Sequence, residues 1–544
     1  MPGKPTGPHE PADELVRTAY AREAGDTAIL YKGMSLTDVA YVVGLIESEI
    51  VPRSAGGELL WALLEIHPSP PLDFAVDPKR GDSYSNREAY LSMLTPAVGW
   101  LSAGRARRES TTTGYRITVR ERLLVLAAAL EELIAAALEL AETHRATLFP
   151  DYTYLQPAQP TVFGHYLLTF VHPMLRDLDR LKAAYHRTNV SPAGAGSVNG
   201  SRLPLDRDSL AAMLGFDEAI PHTRDAMWQA DGPIEIAALI AAALVNIDRL
   251  AEDLQIFSTA ELDLVELADR HTRPSVIMPQ KKNPYALAYL RGLAGESIGH
   301  LAAMAAVGKT PSAQIDNRMF AYGTIPRILG ETSDAVRLMA DVLQGLMVSK
   351  EMGTRRATQD FIGATDLAEV IMTECGIDYK TSHGLVARAV RSAIDAGETT
   401  LSAARLESEA KSMIGRPLGL SPDRIIESLD PKRIVAARTG KGGAAESAVE
   451  RLIADCHQEL DAHRIWRKTA ARKIHEAETR LLLKATSLKI APSTSGGQSP
   501  SAEGEPDQES DARSSPKPKS AQSLEDLFED LPKMPPWRRR FPSE

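Results

Sequence analysis

The residues of this chain best suited to do chemistry fall in the stretch HTRPSVIMPQKKNPYALAYLRG, positions 271–292. Pro274, Pro279 and Pro284 interrupt helical continuity, and Ser275, Lys281, Lys282 and Asn283 lie between them. A loop that carries a hydroxyl, two ammonium groups and an amide suits recognition of a carboxylate. For residues this common the competing explanation is a basic turn that caps a helix. A second stretch, GWLSAGRARRESTTTGYR at 99–116, places Arg105, Arg107 and Arg108 within four residues. A guanidinium grips a carboxylate bidentately, although such a charge run also serves as a solvated face. In a third, DYTYLQPAQPTVFGHYLL at 151–168, Thr153 reads equally as a ligand contact or as a helix N-cap.

The spacing of the first stretch resembles the fumarase/aspartase superfamily motif GSSxMPxKxNP. It matches at Ser275, Met278, Pro279, Lys281, Asn283 and Pro284, with Pro274 for the glycine and Val276 for the second serine. The other segments resemble one branch, argininosuccinate lyase, which also holds ethylenediamine-disuccinate lyase. Residues 151–168 are similar to GYTHLQxAQPxxFGHYLL, and PAGAGSVNGSRLPLDRDSLAAMLGF at 192–216 to PLGxGALAGxxxPxDRxxxAxxLGF. Residues 363–390 and 430–443 resemble the branch's C-terminal domain, so the likeness spans roughly 35–480.

The resemblance implies an all-α, three-domain fold and a homotetramer whose active sites join loops of three subunits, here 99–116, 151–160 and 271–284. It implies a cofactor-free carbon–nitrogen lyase that relates fumarate plus an amine to an N-substituted aspartate. Ser275 inherits the role of base. Lys281 and Asn283 stabilise the charged intermediate, and Arg107, Thr153 and Gln156 contact substrate. Removing a proton beside a carboxylate creates a dianion that needs electrostatic stabilisation, and a serine is a poor base unless N–H groups and cations hold its oxyanion.

Departures from the pattern bear on the substrate. In HTGRSRNDQxxxDLR the chain matches at Gly104, Arg105, Arg107 and Arg116, but Ala106 replaces the serine and Arg108 the asparagine; Arg108 is expected to admit an extra anionic group. Tyr154 stands for the family histidine and Ala288 for its glutamate partner. Tyr154 either donates a proton to the leaving amine, more weakly than an imidazolium would, or fills the vacated volume. His165 matches the family, with packing its more ordinary role. Asn86 replaces another histidine. The arginine-recognising stretch YNxDLQEDK becomes DNRMFAYGT at 316–324, with Asp316, Ala321 and Thr324 at its contact positions. A site stripped of those polar partners discriminates against argininosuccinate itself.

The elements that must position these residues are long helices. Apolar residues recur on several faces of 115–145, with further helical patterns over 160–187, 223–257, 285–307, 325–350 and 444–484. Such rods carry more apolar surface than one chain covers, which predicts a bundle shared between subunits. The organisation read from the chain is an N-terminal domain 1–114, a central bundle 115–358, a C-terminal helical domain 359–486 and a disordered tail 487–544. Residues 491–523 contain no Val, Ile, Leu, Met or aromatic residue, and SLEDLFEDL at 523–531 is amphipathic, either a peptide-docking helix or a solvated tail.

Composition sets the outer limits. At about 150 residues per domain, 544 residues make two to four domains, and a net charge of −10 offers no global field for nucleic acid. Two cysteines point to a reducing, cytoplasmic setting. No metal constellation is legible, and the apolar run 236–247 is too short to span a membrane. The rival reading is an inactive lyase scaffold with an assembly or regulatory role; a third keeps activity but changes the elimination.

Overall fold

The computed structural model describes residues 10–311, 314 and 318–491. The longer helices are α1 (Thr27–Glu47), α2 (Arg53–Glu65), α3 (Ser83–Leu94), α4 (Arg107–Thr143), α5 (Phe163–Thr188), α6 (Asp231–Phe257), α7 (Tyr285–Val307) and α8 (Thr324–Gln344). They are followed by α9 (Ala364–Cys375), α10 (Tyr379–Asp395), α11 (Ala403–Ile414), α12 (Pro422–Leu429) and α13 (Glu446–Leu488). Two antiparallel ribbons carry candidate site residues: β1 (Leu148–Thr153) with β2 (Gln156–Val162), and β3 (Arg273–Pro274) with β4 (Lys282–Asn283).

Helices α4 to α8 build the main core, with Leu130, Ile134, Leu167, Leu244, Leu290 and Val336 interleaved in one cluster. A second cluster joins α1 and α2 to the loops around them, and a third holds α9 to α12 together. The bundle runs up and down. At one end Arg116 of α4 donates to the carbonyls of Arg187 and Thr188 at the close of α5, and Thr112 bonds Tyr322 just before α8. At the other end Phe149 and Tyr152 of β1 stack on Phe257, the last residue of α6, and His271 bonds Asp341 near the end of α8.

The pattern 115–145 is one helix of 37 residues that starts earlier, at Arg107. Its first turns, RRESTTTG, carry poor helix formers, and tertiary burial overrides that propensity. The threonines satisfy themselves against the preceding turn, Thr111 to Arg107 O and Thr113 to Glu109 O. Gly114 lets α4 cross α1 in backbone contact, because a Cβ there would stand 2.7 Å from the Met34 nitrogen.

The expectation of helix from 160 is met only from Phe163. Pro150, Pro157 and Pro160 exclude helix, and the preceding residues pair as β1–β2. The 223–257 pattern breaks before Asp231. Helix α13 does not stay with the C-terminal cluster: Val449, Ile453 and Leu460 join the main core, and Leu481 and Ala485 the N-terminal one. Among the described residues one helix, α1, is long and apolar enough to cross a membrane, a length the sequence reading expected of no apolar stretch, and most of its side chains are buried within the protein. The 523–531 segment and Asp316 lie outside the described residues, as does the tail from 492 onward.

Candidate functional site

The β3–β4 ribbon pairs Arg273 with Asn283 and Pro274 with Lys282, and the residues between them form a protruding loop. Ser275 N–H donates to Lys281 O (3.3 Å) and Lys281 N–H to Met278 O (3.0 Å), which fold the loop onto itself. The Met278 amide then donates to Ser275 Oγ at 3.2 Å. Negative charge that develops on that oxygen therefore meets a fixed N–H dipole. Lys282 is spent on Glu266 and Asp269, each 2.7 Å away, and these bonds, Asp269 first, hold its ammonium above its usual range. Lys281 is exposed and has no carboxylate partner among the described residues. Asn283 Nδ2 donates to Arg273 O at 2.8 Å, so part of its amide braces the ribbon. Val276 is wholly exposed (102%) and Ile277 nearly so, an apolar tip that a lone chain leaves in water.

The β1–β2 hairpin closes at Thr153 and Gln156, and neither residue sits in a helix, so Thr153 is not an N-cap. Tyr154 (φ 56°) and Leu155 (φ 58°) form its tip in the left-handed region, where bulky residues cost about 1–2 kcal/mol each. Tyr154 is 98% exposed and fills no volume in this chain. His165 bonds Thr161 at one ring nitrogen (3.2 Å) and Gly442 O at the other (3.0 Å). It fastens the hairpin to the 438–443 loop, which accounts for its presence by structure. Ala288 is exposed on the first turns of α7.

The arginine motif separates into structural and available members. Arg105 is buried against Asp38 (2.6 Å), which also accepts from Arg87 (3.1 Å) and Ser110 (2.9 Å). Arg108 is buried with Glu23 at 2.8 Å and Asp82 at 3.6 Å. This corrects the expectation that Arg108 receives an extra anion, since internal carboxylates already engage it. Arg107 keeps 45% of its side chain exposed and touches Asp82 through Nη1 at 2.7 Å. Asp82 also caps α3 through Ser85 N–H, and Asn86 beneath it donates to Asp82 O. Asp38, Asp82 and Glu109 were not singled out from sequence. Glu109 accepts the amides of Gly194 and Gly196 at 2.8 and 2.6 Å. Both glycines have positive φ, so PAGAG is the turn that presents those N–H groups.

Between α4 and the segment before α8 lies a cavity of about 200 Å³ lined by Thr112, Tyr115, Arg116, Arg318, Ala321 and Tyr322. Burial pushes Arg116 down to about 10, and Arg318 leaves Nε and Nη2 buried without hydrogen-bond partners among the described residues.

One chain brings Ser275, Lys281 and Asn283 together on a loop, with Thr153, Tyr154 and Gln156 at the same bundle end. It does not bring Arg107 or Arg108 to them. The 37 residues of α4 span about 55 Å, and about 30 Å of α8 separates Tyr322 from Asp341. Away from these loops, Asp179, Glu459 and His463 approach one another across α5 and α13, with one side-chain N or O atom of each within 4.8 Å of the others. Asp179 is too remote in sequence for spacing to reveal it.

Comparison with known proteins gives consistent matches. A family model described as Lyase matches residues 78–299, and one described as Argininosuccinate lyase C-terminal matches 361–436. The argininosuccinate lyase of Methanoculleus marisnigri is 33% identical over 454 residues, 83% of this chain and 92% of that protein. That of Methanococcoides burtonii is 33% identical over 461 residues, 83% and 91% of the two chains. Among solved structures, an EDDS lyase variant with bound fumarate superposes with a TM-score of 0.80 at 28% identity, covering 88% of this chain and 96% of that one. A class II fumarase from Schistosoma mansoni, at 16% identity and a TM-score of 0.63, covers 77% and 95% and shares the fold.

Proposed function

The chain belongs to the argininosuccinate lyase-like branch of the fumarase/aspartase superfamily, and from that premise we propose that it interconverts fumarate plus an amine with an N-substituted aspartate other than argininosuccinate. Ser275 removes the Cβ proton. The second electron pair that this places on the adjacent carboxylate is stabilised by Lys281 and by Asn283, and the C–N bond then breaks to give fumarate and the amine. Tyr154 is the candidate donor to the leaving nitrogen, and Thr153 and Gln156 lie beside it on the hairpin. The observation that carries this reading is the Met278 amide directed at Ser275 Oγ, on the same short loop as Lys281, which is exposed and has no carboxylate partner among the described residues.

Arg107 belongs in the same reaction as a carboxylate holder, and its distance from Ser275 within one chain means that another copy supplies it. The outer face of α7 favours such an assembly. Ala288, Gly292, Gly295, Gly299, Ala302 and Ala306 are all exposed along one stripe, a surface suited to close helix packing. We place four copies around it, and no metal or organic cofactor in the step. The cavity with Arg318 lies near the Arg107 end and suits an amine partner that bears an anionic group.

Purified protein with fumarate and a panel of amines, followed by the ultraviolet absorbance of fumarate, tests the reading. Wild type consumes fumarate with at least one amine, and Ser275→Ala lowers the rate at least about 100-fold, the scale of a lost general base. The loss of both members of the His–Glu pair favours the scaffold alternative. A flat trace across the panel from a normally assembled protein overturns this reading and favours the scaffold alternative.

A further inference from the structure

We propose that the cavity between α4 and the segment before α8 binds a carboxylate carried on an apolar body, gripped by Arg318 and Tyr115. That this ligand is the far end of the amine partner rests on the lyase reading above; the site itself stands on its own geometry. The cavity is about 200 Å³, below the roughly 300–1,000 Å³ of drug-sized sites, so its occupant is small. Arg318 also lines a narrower void of about 30 Å³, and the two compartments meet at this side chain.

The unpartnered atoms of Arg318 are the pair that selects a carboxylate. Nε and Nη2 carry the two parallel N–H bonds of one guanidinium edge, which a carboxylate accepts side-on. Other arginines of this chain show what that edge takes. Arg405 gives it to Glu398 at 3.2 and 2.7 Å, Arg424 to Glu374 at 3.2 and 2.5 Å, and Arg270 to Asp341 at 3.3 and 3.0 Å. In Arg318 the same edge is buried and meets no acceptor among the described residues.

Tyr115 adds an independent donor. It is only 7% exposed, and its hydroxyl is buried without a hydrogen-bond partner. Burial keeps that hydroxyl protonated, and Arg116 and Arg318 are the cations that act on it. The neighbouring polar groups are already engaged: Thr112 bonds Tyr322, and Arg116 donates to three carbonyls and to Gln229. Arg116, Arg187 and Arg318 face Asp231 and Glu235 around the lining, which leaves it one charge positive and opposed to a cationic ligand. The remaining walls are apolar. Val119, Pro233, Ile236 and Ala321 line the larger compartment, and Met304 and Val307 the narrower one.

Sodium hexanoate, a carboxylate on an apolar body with no amine, is titrated into the full-length protein by calorimetry. Wild type binds it, and Arg318→Gln binds it at least about tenfold more weakly, the scale of a lost charge-assisted hydrogen bond. Arg318→Lys keeps the charge without the paired N–H groups and does not restore binding. Tyr115→Phe weakens it several-fold. No described residue pairs with the buried edge of Arg318, so its variants keep the wild-type Tm, which is measured alongside. A wild type that ignores hexanoate, an Arg318→Gln that binds it equally, or equal binding of hexylamine overturns the site. In the fumarate assay 6-aminohexanoate is a better partner than hexylamine, and Arg318→Gln erases that preference through KM. Hexanoate bound while no amine consumes fumarate upholds the site and overturns the lyase reading. Fumarate consumed while hexanoate goes unbound does the reverse.

Discussion

A serine hydroxyl takes a proton from a carbon acid only where its own oxyanion is cheaper than in water. At Ser275 the structure supplies one fixed N–H dipole, and the exposed ammonium of Lys281 follows six residues later. The neighbouring lysine shows the contrast. Lys282 is neutralised by Glu266 and Asp269, so a single cation of the pair is left for a ligand. A second titration belongs at this scale. Burial raises the Asp26 carboxyl to about 6 against the opposing pull of Arg327 and Arg22. A carboxyl raised in the folded state favours folding while protonated, and that contribution is lost as pH rises through about 6. Stability from this group therefore declines between about pH 4 and pH 7, by no more than ~3 kcal/mol for a shift of two units. Asp26→Asn removes the decline, and thermal melts at pH 5 and pH 7.5 measure it as a smaller difference in Tm between the two conditions.

Two elements position the candidate residues, and each carries a cost. The tip of the β1–β2 hairpin holds Tyr154 and Leu155 at φ values suited to Asn-Gly. Replacing the pair by Asn-Gly relieves about 1–2 kcal/mol per residue, so Tm rises while turnover falls if Tyr154 contacts substrate. A variant that is both more stable and fully active removes Tyr154 from the reaction. The start of α4 depends on Asp38, which pairs with Arg87 and Arg105 and accepts from Ser110 in a nearly water-free site. Asp38→Ala leaves two buried guanidinium groups without their anion. The expected loss is about 3–5 kcal/mol in urea unfolding, and the Arg107 turn loses its anchor with it.

At the scale of the whole molecule, the up-and-down bundle keeps Arg107 and Ser275 at opposite ends of a chain whose α4 alone is about 55 Å long. A site that uses both is built between copies. Coexpression of Arg107→Ala with Ser275→Ala, each nearly inactive alone, is expected to restore up to about a quarter of wild-type turnover. That is the chance that both contributors to a site are intact in a random one-to-one mixture of subunits. No recovery in mixed oligomers, confirmed by mass spectrometry to contain both variants, contradicts the shared site.

Sequence by itself determined the helical architecture and the proline-bounded candidate loop, because both rest on local rules. Apolar periodicity marks rods such as α4 and α6, and prolines at 274, 279 and 284 mark a turn wherever it is folded. The spacing from Ser275 to Asn283 survives because a two-stranded ribbon fixes it locally. Tertiary structure alone decided which charges are free. Motif register favoured Arg107 over Arg105 and Arg108, but burial is not legible in the chain: Asp38, Glu23 and Asp82 reach the three from other elements and leave only Arg107 substantially exposed. It also decided that Thr153 closes a hairpin, that α13 returns to the main core, and that His463 meets Asp179. Those outcomes depend on contacts between residues far apart in sequence, where burial and charge pairing outweigh local preference and spacing carries no signal.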